Sequence, residues 1–143
     1  MSQFKFEYLD IVSSDVEELM HLGHLQDEKK HDIKFNYKKF MIVIRDQNNN
    51  LVGALIAYTV YKEIYVDDIW VDPLYRNKGL GRQLLKILED QFKEQGYHNI
   101  NLVTSEFQAS DFYKKCGFEV EFVRINKKDS QFTKTFFIKY LND

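Results

Sequence analysis

The chain has 143 residues, 44% of them hydrophobic and 15% aromatic, which suffices for one packed core and is too short for several domains. A formal net charge of −2, with acidic and basic residues interspersed, gives no reason to expect nucleic acid or a membrane as a partner. One cysteine, Cys116, excludes an internal disulfide framework, and no apolar run approaches the ~20 residues that span a bilayer. With no signal-peptide pattern at the N-terminus, we expect a single cytoplasmic domain over residues 1–143.

The N-terminal part predicts one strand, one helix and an irregular segment. Phe4–Ile11 alternates apolar and polar residues, which indicates a first strand. Ser14-Asp15-Val16-Glu17 has the capping-box pattern and precedes apolar residues at helical spacing. Over Gln26–Tyr37 this periodicity fades, which predicts a loop or a short irregular helix.

The central part predicts three strands and an amphipathic helix. Lys39–Arg45 and Leu51–Tyr61 form a hairpin around the turn-prone D-Q-N-N-N. Glu63–Val71 is the next strand, and Leu80–Gln95 has the apolar stripe of a helix packed on a core.

The C-terminal part predicts one more strand, a helix and a hairpin. Asn99–Thr104 is a short apolar strand, and Ser105-x-x-Gln108 is a second capping-box pattern opening a helix to Cys116. Glu119–Ile125 and Phe132–Leu141 complete the chain as a hairpin. The resulting order β-α-β-β-β-α-β-α-β-β predicts an α/β protein with a mixed sheet.

The stretch Val71–Gly81, reading V-D-P-L-Y-R-N-K-G-L-G, joins the third central strand to the helix. Gly79 and Gly81 lack a Cβ, so the backbone there can approach a ligand closely. The free N–H groups at the following helix start favour an anion. The cations Arg76, Lys78 and Arg82 surround the same place. We interpret this stretch as a pyrophosphate-binding loop.

Two other nucleotide-binding loops do not fit this stretch. A Walker loop requires Lys followed by Ser or Thr after its second glycine, which is missing here. A dinucleotide-binding G-x-G-x-x-G requires a third glycine, but that position is Leu84.

The spacing Arg76-x-x-Gly79-x-Gly81, preceded by Asp72-Pro73-x-Tyr75, resembles the acetyl-CoA loop of the GNAT-type N-acetyltransferases. Phe112–Phe118, F-Y-K-K-C-G-F, is similar to the family's F-Y-x-x-x-G-F, and the matched segments run from Tyr65 to Phe118. The resemblance implies an α+β fold with a mixed, mostly antiparallel central sheet of about seven strands and helices on both faces.

The resemblance also implies acetyl-CoA as co-substrate and no metal. In the family, backbone groups of the strand before the loop pair with the pantetheine arm and the thioester carbonyl, where an N–H stabilises the oxyanion. In this chain those groups belong to Ile69, Trp70 and Val71. The loop and helix start that would hold the pyrophosphate are Arg76, Asn77, Lys78, Gly79, Leu80, Gly81 and Arg82.

The family pattern makes Tyr113 the general acid that protonates the departing thiolate, although a tyrosine here could instead only pack. Asp67 and Asp68 are the candidates for assisting amine deprotonation, and Asp68 also for binding the acceptor. Successive strand residues face opposite sides, so at most one of them should face the acceptor unless a bulge redirects the other. We favour Asp67; an acidic pair that is merely solvated is the alternative.

Two positions depart from the family pattern. Asn101 lies where some members carry a glutamate base, and an amide cannot serve as one. Glu106 lies where many members have an asparagine that contacts coenzyme A, and it would suit a cationic acceptor instead.

The sequence therefore predicts an N-acetyltransferase that moves the acetyl group of acetyl-CoA to a primary amine, by direct attack, on a small molecule. Acetylation of a protein N-terminus or lysine is the alternative within the class, and a non-catalytic coenzyme A sensor is the alternative outside it. Edge strands and surplus exposed Phe would allow a homodimer.

Overall fold

The computed structural model describes residues 3–105 and 110–142. The chain divides into two compact units, Met1–Phe35 and Asn36–Asp143. In the described residues, no helix combines the length and apolar character needed to cross a membrane.

The first unit consists of an extended N-terminal segment and one helix, α1, at Ser14–His31. The predicted strand at Phe4–Ile11 is wrong, because these residues have no regular secondary structure. Alternation of apolar residues predicts which side of a strand is buried, but a strand forms only where a neighbouring strand accepts its hydrogen bonds. This segment lies outside the hydrogen-bonded sheet.

Helix α1 differs from its prediction at both ends. It starts after Ser13, which is its N-cap without a side-chain capping bond, so the predicted capping box does not form. It continues to His31 through most of the segment predicted as irregular, which holds good helix formers and no Gly or Pro. The basic last turn suits the negative end of the helix dipole, and Asp32, with φ 55°, ends the helix.

The second unit is a six-stranded sheet with two helices. Its elements are β1 Lys38–Arg45, β2 Leu51–Val60, β3 Glu63–Val71, α2 Leu80–Lys93, β4 Asn99–Ser105, α3 Ser110–Lys115, β5 Glu119–Arg124 and β6 Lys134–Tyr140. The strand order is β1-β2-β3-β4-β6-β5, antiparallel throughout except for the parallel pair β3–β4. The mixed, mostly antiparallel α+β fold is confirmed, with six strands rather than about seven among the described residues because the N-terminal strand does not form. Ser105 ends β4, and the rest of the predicted capping box, residues 106–108, lies outside the described residues.

One hydrophobic core joins the sheet to α2 and α3. Helix α2 buries Leu84, Leu85 and Leu88 on one face, as its apolar spacing predicts. They meet fully buried strand residues, among them Leu55 and Ile64. Helix α3 contributes Phe112 and Tyr113, followed by Cys116 and Phe118.

Lys139 on β6 connects α2 to the end of α3. Its Nζ donates to Glu89 Oε2 at 2.8 Å and to the Cys116 carbonyl at 2.9 Å. Both ionic side chains are largely buried, at 24% and 15% exposure. This lysine therefore fixes the turn that follows the helix carrying Tyr113.

We expect Lys139→Met to lower the free energy of unfolding by about 2 kcal/mol, because Glu89 and the Cys116 carbonyl lose a charged donor in a partly buried place. Urea unfolding measures this loss. Lys86→Met is the matched control, because Lys86 pairs with Asp90 at 3.0 Å on the exposed side of α2, where solvent screens the pair, so its loss of stability should be much smaller. Equal losses in both variants would contradict the assigned role of Lys139.

Candidate active site

Strand β3 carries a bulge at Asp67. Ile56 of β2 is opposite Asp68, but the next β2 residue, Ala57, is opposite Val66, so Asp67 is the extra residue. The bulge interrupts the alternation of side chains between the two faces of the sheet, because Val66 and Ile69 are three residues apart and both pack on the core. Both aspartates therefore lie between two residues that pack on the core.

Strands β3 and β4 pair over only part of their lengths. The parallel ladder joins Glu63–Tyr65 to Asn99–Asn101. Beyond it, β3 and β4 continue to Val71 and Ser105 without pairing with each other. A cavity of about 390 Å³ opens where the pairing stops. Its lining is Tyr58, Glu63, Tyr65, Val66, Asp67, Asn101, Leu102, Val103, Glu121, Phe136 and Phe137.

Glu63 is held in place at the edge of this cavity. Its Oε1 accepts hydrogen bonds from Asn99 Nδ2 at 2.8 Å and Asn101 Nδ2 at 3.2 Å. Its Oε2 lies 3.4 Å from the Tyr65 hydroxyl, and burial together with the Glu63 charge raises the pKa of that phenol. Sequence reasoning missed Glu63, since only the pairing of β3 with β4 brings it to Asn101.

The bulge directs the two aspartates to different places. Asp67 lines the large cavity, whereas Asp68 lines a second cavity of about 130 Å³ together with Trp70. The rest of that second lining comes from β2: Leu51, Gly53, Ala54 and Ile56. Both aspartate side chains are exposed.

Tyr113 lies in an aromatic group of which one member, Phe137, lines the large cavity. Its ring centroid is 5.2 Å from Phe112, 6.2 Å from Phe118 and 5.7 Å from Phe137, and Phe137 lines the large cavity. Burial raises the pKa of the Tyr113 phenol, with further contributions from Cys116 and Asp68. Tyr113 itself is not among the residues that line the cavity.

The loop between β3 and α2 begins with a tight turn. Asp72 Oδ1 accepts from the Leu74 N–H at 2.9 Å and caps a 3₁₀ turn at Pro73–Tyr75. Asn77 and Gly79 then adopt left-handed conformations, with φ of 64° and 78°.

Helix α2 begins directly after Gly79, its N-cap, which has no side chain to cap it. The first helical bond runs from the Gln83 N–H to the Gly79 carbonyl at 3.0 Å. The N–H groups of Leu80, Gly81 and Arg82 therefore precede the helical ladder and are available to an anion.

Two of the loop cations, Arg76 and Lys78, contact other groups of the protein. Arg76 Nε donates to the Val71 carbonyl at 2.8 Å, and its guanidinium lies 5.8 Å from the Trp70 ring. Lys78 Nζ lies 5.6 Å from the Tyr75 ring. Arg76 thus occupies one of the β3 backbone groups that the sequence assigns to the pantetheine arm.

Cys116 is buried, and burial raises the pKa of its thiol despite the opposing charges of Arg82 and Lys139. This environment suits a structural thiol and not a nucleophile.

Two glycine contacts were not predicted from the sequence. A Cβ on Gly81 would lie 3.2 Å from the Phe112 ring, so the glycine loop packs against the residue before Tyr113. A Cβ on Gly53 would lie 2.9 Å from the Trp70 carbonyl and 3.3 Å from the Val71 Cα. Gly53 therefore sets how closely β2 approaches the backbone of the β3 end.

We expect Gly53→Ala to displace the Trp70–Val71 backbone and to raise the Kd of acetyl-CoA by about fivefold or more, because overpacking against backbone costs about 1–3 kcal/mol. Ligand-induced change in thermal unfolding measures this effect. Gly23→Ala adds the same methyl group in α1, where no described atom lies within 4 Å, and should leave acetyl-CoA binding unchanged. Unchanged binding in Gly53→Ala would contradict the role given to this backbone.

Glu106 lies outside the described residues. The described part of the chain contains no group of three or more His, Cys, Asp or Glu side chains that could hold a metal ion.

Comparison with known proteins places this arrangement in a family. Residues 9–118 match the model of the acetyltransferase (GNAT) family. The chain is 35% identical to a [ribosomal protein bS18]-alanine N-acetyltransferase of Haemophilus influenzae over 81 residues, 56% of each chain. It is 31% identical to blasticidin-S acetyltransferase of Streptomyces morookaense over 75 residues, 52% of this chain and 55% of the relative. The chain thus spans about half the length of the curated relatives it matches.

The solved structures agree in fold. The crystal structure of an acetyltransferase from Bacillus cereus superposes with a TM-score of 0.74 at 25% identity, covering 94% of this chain and 98% of the other. The family match covers the bulged strand, the glycine loop and the helix that carries Tyr113. The chain belongs to the GNAT acetyltransferase family.

Proposed function

We propose that the chain transfers the acetyl group of acetyl-CoA to a primary amine of a small molecule. The observation that carries this proposal is the opening between β3 and β4, which adjoins the bulge at Asp67 on the strand that leads into the glycine loop. A donor held by that loop and strand would present its thioester at the cavity. The family match spans residues of both units, which supports one acetyltransferase domain.

The loop suits the pyrophosphate of acetyl-CoA. The N–H groups of Leu80, Gly81 and Arg82 supply donors at the positive end of the α2 dipole, and Gly79 leaves open space in front of them. Side chains of Arg76, Asn77, Lys78 and Arg82 surround this place, and Arg76 would exchange the Val71 carbonyl for a phosphate oxygen.

The backbone of Ile69, Trp70 and Val71 would bind the pantetheine arm and the thioester carbonyl. The amine lone pair attacks that carbonyl, and a backbone N–H of this segment stabilises the resulting oxyanion. The C–N bond forms first, and the tetrahedral intermediate then collapses with cleavage of the C–S bond. The departing thiolate takes a proton from the Tyr113 hydroxyl, and the Tyr113 phenolate regains a proton from the nitrogen of the new amide, directly or through water. No covalent enzyme intermediate is required.

The amine must lose a proton before it attacks. A lysine-like amine at pH 7 requires about 4–5 kcal/mol for this, at 1.36 kcal/mol per pKa unit. Asp67 in the large cavity and Asp68 in the second cavity are the two carboxylates that could accept the proton, directly or through water. Asp67 is the favoured base because it lines the cavity that would hold the acceptor.

A small-molecule acceptor fits a cavity of about 390 Å³, within the range of small-ligand pockets. The named activity of the blasticidin-S relative agrees with this class. A protein N-terminus is the second candidate, favoured by the named activity of the ribosomal-protein relative. A coenzyme A sensor without turnover would be indifferent to the Tyr113 hydroxyl.

The decisive experiment is a thiol-release assay with acetyl-CoA against a panel of small amines and N-terminal peptides. We expect release with one class of small amine and its reduction in Tyr113→Phe and Asp67→Asn. Binding of acetyl-CoA without release for any amine or peptide would favour the sensor, and absence of acetyl-CoA binding would overturn the interpretation of the glycine loop.

A further inference from the structure

The large cavity has an acidic and aromatic lining. Glu63, Asp67 and Glu121 place three carboxylates on it, and no Lys or Arg is among its lining residues. The rings of Tyr58 and Tyr65 lie in the same lining, stacked at 5.3 Å between centroids with 12° between planes. A carboxylate beside aromatic faces is an environment that favours a cation.

The Glu63 carboxylate is held in position by hydrogen bonds from uncharged groups only. The donors that hold it are the amides of Asn99 and Asn101, with the Tyr65 hydroxyl nearby. Among the described residues the ion pairs are Lys86–Asp90 and Lys139–Glu89, and neither includes Glu63. The carboxylate is thus fixed in position while its charge has no protein counterion there, which suits recognition of a ligand cation.

The position of Glu63 separates it from the reacting end of the cavity. Asp67 lies four residues beyond Glu63 along β3, about 13 Å at roughly 3.3 Å per residue. Glu63 is therefore too far along β3 to serve the reacting amine at Asp67. A second positive charge on the same acceptor could reach it.

We infer, on the basis of the proposed acetyltransferase function, that the acceptor is a dication such as a linear diamine or polyamine, with Glu63 binding the remote ammonium. The aliphatic spacer lies along the Tyr58–Tyr65 rings, and the reacting amine lies at Asp67. Glu63 determines specificity and takes no part in the chemical step.

The experiment compares octane-1,8-diamine, whose two nitrogens are far enough apart when extended to reach from Asp67 to Glu63, with n-octylamine, which has the same carbon chain and lacks the second amine. In the wild type, kcat/KM for the diamine should exceed that for n-octylamine at least about tenfold, equivalent to about 1.4 kcal/mol. Glu63→Gln keeps an oxygen that can accept from Asn99 and Asn101, so the fold should be retained. It should raise the KM for the diamine at least about tenfold with kcat largely kept, and change the KM for n-octylamine by less than about twofold.

The control is Asp90→Asn, which removes a carboxylate from the exposed Lys86 pair on α2 and should change neither substrate. The inference is overturned if the wild type uses both amines equally, or if Glu63→Gln weakens both to the same extent. Calorimetric binding of the two amines in the presence of coenzyme A provides a readout without turnover. Tighter binding of octane-1,8-diamine that disappears in Glu63→Gln, with no thiol release, would support the inference and contradict the proposed function.

Discussion

Tyr113→Phe should lower kcat at least about tenfold while changing the KM for acetyl-CoA by less than about twofold. The variant removes only the hydroxyl and keeps the ring that packs against Phe112, Phe118 and Phe137, so the fold and the donor site should persist. With ordinary pKa values near 10 for the phenol and about 8.5 for a thiol, proton transfer to the thiolate is uphill by about 2 kcal/mol. Burial raises the phenol pKa and makes the transfer harder, so the expected effect lies at the low end for general acids.

The pH dependence gives this prediction a second readout. Because burial raises the pKa of Tyr113 above its ordinary value of 10.0, the phenol stays protonated from neutral pH to about pH 9. The wild-type rate should therefore rise with pH as the amine deprotonates, without an alkaline decline in that range. Tyr113→Phe should follow the same curve at a lower level.

Steady-state thiol release over this pH range tests both points. Tyr140→Phe deletes a phenol on the exposed end of β6 and should match the wild type. Full activity in Tyr113→Phe would show that the thiolate leaves without this acid and that Tyr113 only packs.

The local parts of the site could be predicted because they depend on neighbouring residues in the sequence. Glu63–Val71 was predicted with the bounds that the structure shows, and the helix after Gly79 was predicted to begin at Leu80, as observed. An apolar run, a proline and a pair of glycines determine these boundaries through local conformational preference. The assignment of donor contacts to residues 69–71 and 76–82 remains a prediction.

The parts that depend on distant pairing could not be predicted. Phe4–Ile11 has a strand pattern but joins no ladder, whereas Glu63 looks like an ordinary strand-end residue until β4 brings Asn99 and Asn101 beside it. The bulge at Asp67 likewise exists only relative to the register of β2. Whether one aspartate or both can face the acceptor depends on the position of this bulge, which cannot be predicted from the sequence.

Gly79→Ala should raise the Kd of acetyl-CoA at least about tenfold, because the added methyl group enters the space where the loop backbone must approach the pyrophosphate. No described atom lies within 4 Å of that position, so the methyl group clashes with nothing in the free protein. The remaining effect is conformational: Gly79 has φ 78°, and a side chain in this region costs roughly 1–2 kcal/mol.

Gly96→Ala is the control for this variant, because it introduces the same kind of backbone strain at a position outside the proposed binding loop. Gly96 has φ 81° after the end of α2, remote from the loop, and its added Cβ would make only an ordinary contact with Lys62 Nζ at 3.9 Å. The two variants should therefore lose similar free energies of unfolding in urea, while calorimetry should show weakened coenzyme A binding only in Gly79→Ala. Equal binding by both variants would mean that the ligand does not approach the backbone at Gly79, and the pyrophosphate would have to be held by side chains instead. Because the strain is matched, a difference in affinity between the variants measures the close approach itself.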